Sequence, residues 1–237
     1  MRLAALLLMA SACLGAADSR RSGFDTMSPA LQAMQRDDAG NPAMLWVEGG
    51  RELWGQRCSS CHGDAKRSMS GVAARYPAFD AKLNLPVTLM QRIQAHNPAL
   101  KTESEELLSL AAYITLQSRG MPIASSADVR LKPFEAKGKA LFGRRMGQLN
   151  LSCAQCHDSQ AGKLLGGSLI PQAHPTGYPL YRLEWQALGS LPRRLRNCAT
   201  GVRAQTWDWD SEELVDLELY LMRRAQGMSM DAPALRP

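Results

Sequence analysis

The sequence predicts an all-α chain of two tandem helical domains, and three observations predict it. A five-residue motif with two cysteines and a histidine occurs twice. The helix before the motif and the helix that closes each copy recur in the same order, and strand signals are poor everywhere. At 237 residues the chain exceeds the usual single-domain size, and an aromatic content of 6% is thin for two conventional cores. Small domains of this kind gain from an internal cofactor that adds apolar surface.

Arg2, the apolar run Leu3 to Leu14 and the small residues Gly15-Ala16-Ala17 read as a secretory signal over residues 1–17. The run is shorter than the roughly 20 apolar residues a membrane span needs, and no other stretch is long and apolar enough. Cys13 lies in a lipobox-like Ser11-Ala12-Cys13, with Ala10 where such signals carry Leu; it is expected to leave with the signal. The mature chain is therefore expected in an oxidising compartment, the periplasm. There Cys58, Cys61, Cys153, Cys156 and Cys198 are an odd number that disulfides cannot exhaust. Residues 18–44 read as a polar, irregular arm lying on the domains.

The first domain is placed at 45–124 and the second at 125–237. Gly50-Arg51-Glu52-Leu53-Trp54 recurs as Gly138-Lys139-Ala140-Leu141-Phe142, and Cys58-Ser59-Ser60-Cys61-His62 as Cys153-Ala154-Gln155-Cys156-His157. The closing helices match at a shift of 107: Leu107, Leu110 and Ile114 in one copy, and Leu214, Leu217 and Leu221 in the other, lie on one face. Thr102 with Glu105, and Asp210 with Glu213, suggest capping boxes, while Gly120 and Gly227 suggest stops. The motifs themselves are shifted by 95, so the second copy holds 12 more residues between motif and closing helix, around Cys198. Met121 to Lys137 reads as linker.

CxxCH sets two thiols one helical turn apart, able to add to the two vinyl groups of a haem, and the next residue offers an imidazole to the iron. A single CxxC would also suit a redox dithiol or half a zinc site. Two copies, each with its histidine in an exported chain, predict two covalently attached haem c groups in two cytochrome c-like domains. Cys58, Cys61, Cys153 and Cys156 would form the thioethers, with His62 and His157 on the iron. The second axial ligand tunes each haem. For the first haem His96 is the candidate, between motif and closing helix, with Met90 the alternative. For the second it is Cys198, the one thiol without another use, with His174 the competitor. Met121 and Met228 follow equivalent helices and suggest packing.

The net charge of +6 and pI near 9.1 come without a lysine-rich tract, and with export this argues against nucleic acid and for acidic proteins or small anions. Arg193, Arg194, Arg196 and Arg203 flank Cys198. Such guanidinium groups favour a thiolate, the nucleophilic form of cysteine.

Further segments carry a resemblance: Asn41-Pro42-Ala43-Met44-Leu45-Trp46, Gln117-Ser118-Arg119-Gly120-Met121-Pro122-Ile123, Arg145-Met146-Gly147-Gln148-Leu149-Asn150-Leu151, Gly177-Tyr178-Pro179 and Val202-Arg203-Ala204. Together with both CxxCH motifs they resemble the A subunit of the SoxAX cytochromes of bacterial thiosulfate oxidation, over nearly the whole mature chain. The resemblance implies that Cys198 is the active-site residue, modified as a persulfide, and that Arg194 assists substrate binding. It also implies a small cytochrome partner, SoxX, and the joining of thiosulfate to a cysteine of the carrier SoxYZ, with two electrons leaving through haem. Many members carry cysteine as distal ligand of the first haem, where this chain offers His96. A thiosulfate dehydrogenase forming tetrathionate and a purely electron-carrying di-haem protein are the alternative readings.

Overall fold

The computed structural model describes residues 18–237. Residues 1–17, read from the sequence as a secretory signal and including Cys13, lie outside the described residues. The chain is mostly helical, in two copies of one plan.

The arm is not irregular throughout. Ser28 accepts a hydrogen bond from the Leu31 amide and Pro29 occupies the first turn, so the sequence starts helix α1, Pro29–Arg36. The first copy then runs through α2 (Ala43–Arg57), the motif helix α3 (Ser59–His62) and the short α4 (Ala65–Ser68). An antiparallel ribbon of β1 (Ala78–Asp80) and β2 (Leu85–Val87) leads into α5 (Leu89–His96) and the closing helix α6 (Glu105–Leu116). The second copy has α7 (Lys132–Gly143), the motif helix α8 (Cys153–His157) and a hairpin of β3 (Leu164–Leu165) and β4 (Ser168–Leu169). A ribbon of β5 (Leu180–Arg182) and β6 (Ala187–Gly189) then precedes α9 (Leu191–Gly201) and α10 (Glu212–Arg224). The tail, β7 (Ala234–Arg236), pairs parallel to β5.

Three features depart from the sequence expectation. Short ribbons exist, because strands of two or three residues are too brief to show alternation; Asn84 and Gln186, with φ of 56° and 50°, turn two of them. The closing helices are capped by Ser104 and Ser211, which accept from the Leu107 and Leu214 amides at 3.3 and 3.4 Å, not by Thr102 and Asp210. The Thr102 hydroxyl instead accepts from Gln94 Nε2 at 3.1 Å. The linker is also shorter than Met121–Lys137, since α7 starts at Lys132.

The ribbons and the helices after them correspond at a third shift, 102. β1 matches β5, β2 matches β6, Asn84 matches Gln186, and the N-caps Thr88 and Ser190 match. The 12 extra residues of the second copy therefore divide into seven before the ribbon, where the β3–β4 hairpin lies, and five between α9 and α10.

Each copy is held by one close crossing of its first and last long helices. A Cβ on Gly50 would sit 2.6 Å from the Ser109 carbonyl carbon, and one on Gly138 would sit 2.6 Å from that of Asp216; only glycine lets the backbones approach so near. Trp54, Leu107, Leu110 and Ile114 fill the first crossing, and Leu141, Phe142, Leu217 and Leu221 the second. Between the copies, Val47, Leu108 and Ala112 pack against Tyr181, Leu188 and Leu235 of the second half. The segments after the closing helices exchange backbone bonds in a two-fold pattern. Ile123 donates to the Met228 carbonyl and Met230 to that of Met121, at 2.8 and 2.9 Å.

Replacing Gly138 with Ala should cost about 1–3 kcal/mol by forcing the helices apart, read as a lower Tm of the haem-loaded protein. Asp216, 4% exposed at the same crossing, has its carboxyl pushed up to about 6, chiefly by burial and further by Glu212 and Glu213. The folded state thus binds this proton more tightly than the unfolded chain, and stability is lost as pH rises from about 4 through 6. Asp216→Ser, copying Ser109, should stabilise by on the order of 1–2 kcal/mol at pH 7. Denaturant titrations should show that gain vanishing below about pH 4.

Candidate haem and sulfur site

In the first copy, α2 runs into the motif helix, with Cys58 capping the junction. Cys58 is buried beneath Trp54 and Ile93, and burial raises its thiol pKa. Trp54 Nε1 donates to the Gly63 carbonyl at 3.0 Å and the indole lies 5.8 Å from the His62 ring, fixing the chain where the imidazole emerges. Facing it is His96, the last residue of α5, a helix started by a full capping box of Thr88 and Gln91. The His62 and His96 ring centroids are 5.9 Å apart, with planes at 53°. An iron about 2 Å from one nitrogen of each ring fits that gap. Met90, the alternative ligand, packs against the first-copy core and against the cluster between the copies, where it serves as apolar filling.

In the second copy, Ser152 and Gln155 form a capping box at the start of the motif helix. Burial pushes the Cys153 thiol up to about 11, with Cys198 near enough to add to the effect. Burial likewise lowers the His157 pKa, helped by Arg194 and Arg224. The neutral ring donates from Nδ1 to the Pro171 carbonyl at 2.7 Å, which leaves the Nε2 lone pair free for a metal and holds the ring's orientation. Around Cys153 lie Leu141, Phe142, Leu191, Leu195, Leu217 and Leu221, an apolar lining suited to a porphyrin. None of Cys58, Cys61, Cys153, Cys156 and Cys198 is in a disulfide. The thiols of both motifs are thus available for thioether bonds, and the donors present fit haem c.

Ser190 caps α9 and accepts from the Arg193 amide at 3.1 Å. Eight residues past the cap is Cys198, the same place that His96 holds in α5. Arg194 lies one turn earlier on the same face. The four arginines of the sequence cluster separate. Arg193 stacks on Trp185 at 4.3 Å and Arg196 on Trp209 at 4.4 Å, while Arg203 turns the chain after α9 with φ 55°. Arg194 has no carboxylate partner among the described residues. Its charge acts on His157, Tyr178 and Arg182, and that of Cys198 on Cys153, Tyr178 and Arg182, so these groups share one neighbourhood. The hydroxyl of the half-buried Tyr178 is pushed up to about 12, chiefly by desolvation. His174, the competing ligand, instead donates from Nδ1 to the Arg21 carbonyl at 2.9 Å and pins the arm.

Sequence reasoning missed the Pro171 carbonyl, which no residue type announces, and Arg182. The shift of 102 would have found the latter, because it sets Arg182 against Asp80.

The family model described as SoxA/TsdA, cytochrome c domain, matches residues 45–123 and 137–230. The L-cysteine S-thiosulfotransferase subunit SoxA of Pseudaminobacter salicylatoxidans is 34% identical, over 92% of this chain and 82% of that protein. The SoxA subunit of Paracoccus pantotrophus is 30% identical, over 92% and 80%, and that of Chlorobaculum tepidum 34%, over 82% and 72%. The crystal structure of SoxXA from P. pantotrophus superposes with a TM-score of 0.87 at 29% identity, covering 92% of this chain and 87% of that one. Both halves match in sequence and fold, and the chain belongs to the SoxA/TsdA cytochrome c family, on the SoxA side.

Proposed function

We propose that this chain is the SoxA-type subunit of an L-cysteine S-thiosulfotransferase, joining thiosulfate oxidatively to a cysteine of a SoxYZ-type carrier in the periplasm. Residues 1–17 would direct its export. A cytochrome c domain carries covalently bound haem c. In this reading there are two, one per domain, attached at Cys58 and Cys61 and at Cys153 and Cys156. His62 with His96 would ligate the first iron and His157 with Cys198 the second. The observation that carries the reading is the equivalence of His96 and Cys198: the second copy offers a thiol where the first offers an imidazole, one turn from an arginine that has no carboxylate partner among the described residues.

The chemistry assigns roles to the chain's own groups. Joining thiosulfate to a carrier thiol forms one S–S bond and releases one proton and two electrons. Bound haem supplies the oxidising capacity for those electrons. Cys198 is the sulfur centre at which the two are joined, by covalent catalysis, and carries the persulfide. Arg194 holds the sulfonate through charge-assisted hydrogen bonds and so aims the outer sulfur. The solved relative is a SoxXA structure, which supports a small SoxX-type cytochrome as partner subunit.

Haem quantitation should give two haems per chain, and one after Cys153→Ala with Cys156→Ala. Low-temperature electron paramagnetic resonance of the oxidised protein should show a thiolate-ligated low-spin signal beside an imidazole-ligated one.

Cys198→Ala, with both haems retained, should lose at least ~1000-fold in conjugation rate. Assayed with thiosulfate and carrier, near-normal turnover in that variant would refute the role. Tetrathionate from thiosulfate alone would favour dehydrogenase chemistry, and no product with either would favour an electron carrier.

A further inference from the structure

The second copy replaces an internal ion pair of the first with two like charges. In the first copy Arg92 of α5 donates to Asp80 Oδ2 at 2.6 Å, and Asp80 is 8% exposed at the end of β1. Asp80 Oδ1 accepts the Lys82 and Leu83 amides as well, so this carboxylate is fully used. A shift of 102 carries Arg92 to Arg194 and Asp80 to Arg182, each at the matching place in its helix or strand. Arg194 is therefore left without the carboxylate that its counterpart has.

Among the described residues no other carboxylate takes over that pairing. The Arg182 side chain is 16% exposed, and its one ionic partner is Glu184, itself 65% exposed, at 2.9 Å; a pair open to water on one side contributes little. Arg182 Nε is buried with no hydrogen-bond partner. The nearby Arg236 is already neutralised by Asp231 at 2.8 Å and held by Gln35. The Asp80–Arg92 contact of the first copy sets these two side chains in one neighbourhood of the second, and the Arg182 pKa is lowered by burial and further by the Arg194 charge, so the pairing of like charges carries an energetic cost. Such a cost is offset when an anion binds between the charges and takes up the free donors.

We infer that Arg182 and Arg194 together form the oxyanion-binding half of the Cys198 site, with Arg182 the residue that selects a tetrahedral sulfonate end. This rests on the thiosulfate reading above. A haem carboxylate offers the same chemistry, and the assay separates the two sources.

The test uses the haem-loaded complex with its partner subunit and the variants Arg182→Gln, Arg182→Lys and Arg182→Asp. With Arg182→Gln the KM for thiosulfate should rise ~10-fold or more while kcat changes far less, as for loss of one charged hydrogen bond. Sulfate, a non-reacting mimic, should bind more weakly by a similar factor in calorimetry at constant ionic strength. Arg182→Lys should recover part of both. Arg182→Asp rebuilds the Asp80–Arg92 pair against Arg194, so it should fold with an undiminished Tm yet bind thiosulfate and sulfate most weakly of all. Unchanged KM and sulfate affinity in Arg182→Gln would overturn the inference. So would a shifted haem absorption band or midpoint potential at unchanged KM, which would assign the anion to haem. If the wild type joins no thiosulfate to any carrier, the parent reading fails, and the sulfate titration still decides whether Arg182 belongs to an anion site.

Discussion

The structure depends on two places where helix backbones touch. Gly50 against the Ser109 carbonyl and Gly138 against that of Asp216 bring the opening and closing helices of each copy closer than any side chain would permit. The consequence runs along the chain. Each opening helix delivers its motif at a set height, and each closing helix lays Leu110 and Ile114, or Leu217 and Leu221, across the space the motif faces. The prosthetic group then meets a wall whose position is set by backbone contact, and backbone is far less adjustable than a side chain.

On that shared frame, the two copies differ in one residue at the eighth place after a helix cap, the place proposed above for the second axial ligand. Capping fixes the register of α5 and α9 by satisfying the first amides through Thr88 and Ser190. The eighth residue then projects to the same point in both copies whatever its identity. In the proposed reading, histidine there would give the first iron a second nitrogen donor, which suits electron transfer. Cysteine there would put a nucleophile beside the second, and the proposed chemistry would separate into one relay and one reactive centre without a change of fold.

The sequence made the repeat, both motifs and the faces of the closing helices legible, because each is a local pattern of residue types at helical spacing. His62 and His157 came with the motifs, His96 and Cys198 from their place between motif and closing helix, and the role of Arg194 from the family resemblance. The caps were misassigned because Thr102 and Ser104, or Asp210 and Ser211, are all competent; the choice falls to Gln94, which claims the Thr102 hydroxyl across the fold. The ribbons were hidden by their brevity. Arg182 was hidden for a different reason. The two insertions in the second copy lie on either side of its ribbon and distal helix, so neither the 95 nor the 107 shift aligns that segment, and the exchange of Asp80 for Arg182 stays out of register until the ribbons are seen.

The surroundings of that exchange explain how two like-charged guanidinium groups, one of them paired only with the exposed Glu184, are tolerated. In the first copy, β1 has one neighbour, β2. In the second, β5 is the central strand of three, hydrogen-bonded to β6 on one side and to the tail β7 on the other, with Tyr181 buried against the first half. Like charges in a flexible loop would relax by swinging into water. Arg182 is prevented from doing so by the strand beneath it, and Arg194 by a capped helix. Donors held in place before an anion arrives need little reorganisation when it does, and that is where an electrostatic site gains its strength. The extra strand is thus the structural counterpart of the lost carboxylate: the tail supplies rigidity where the first copy has charge balance.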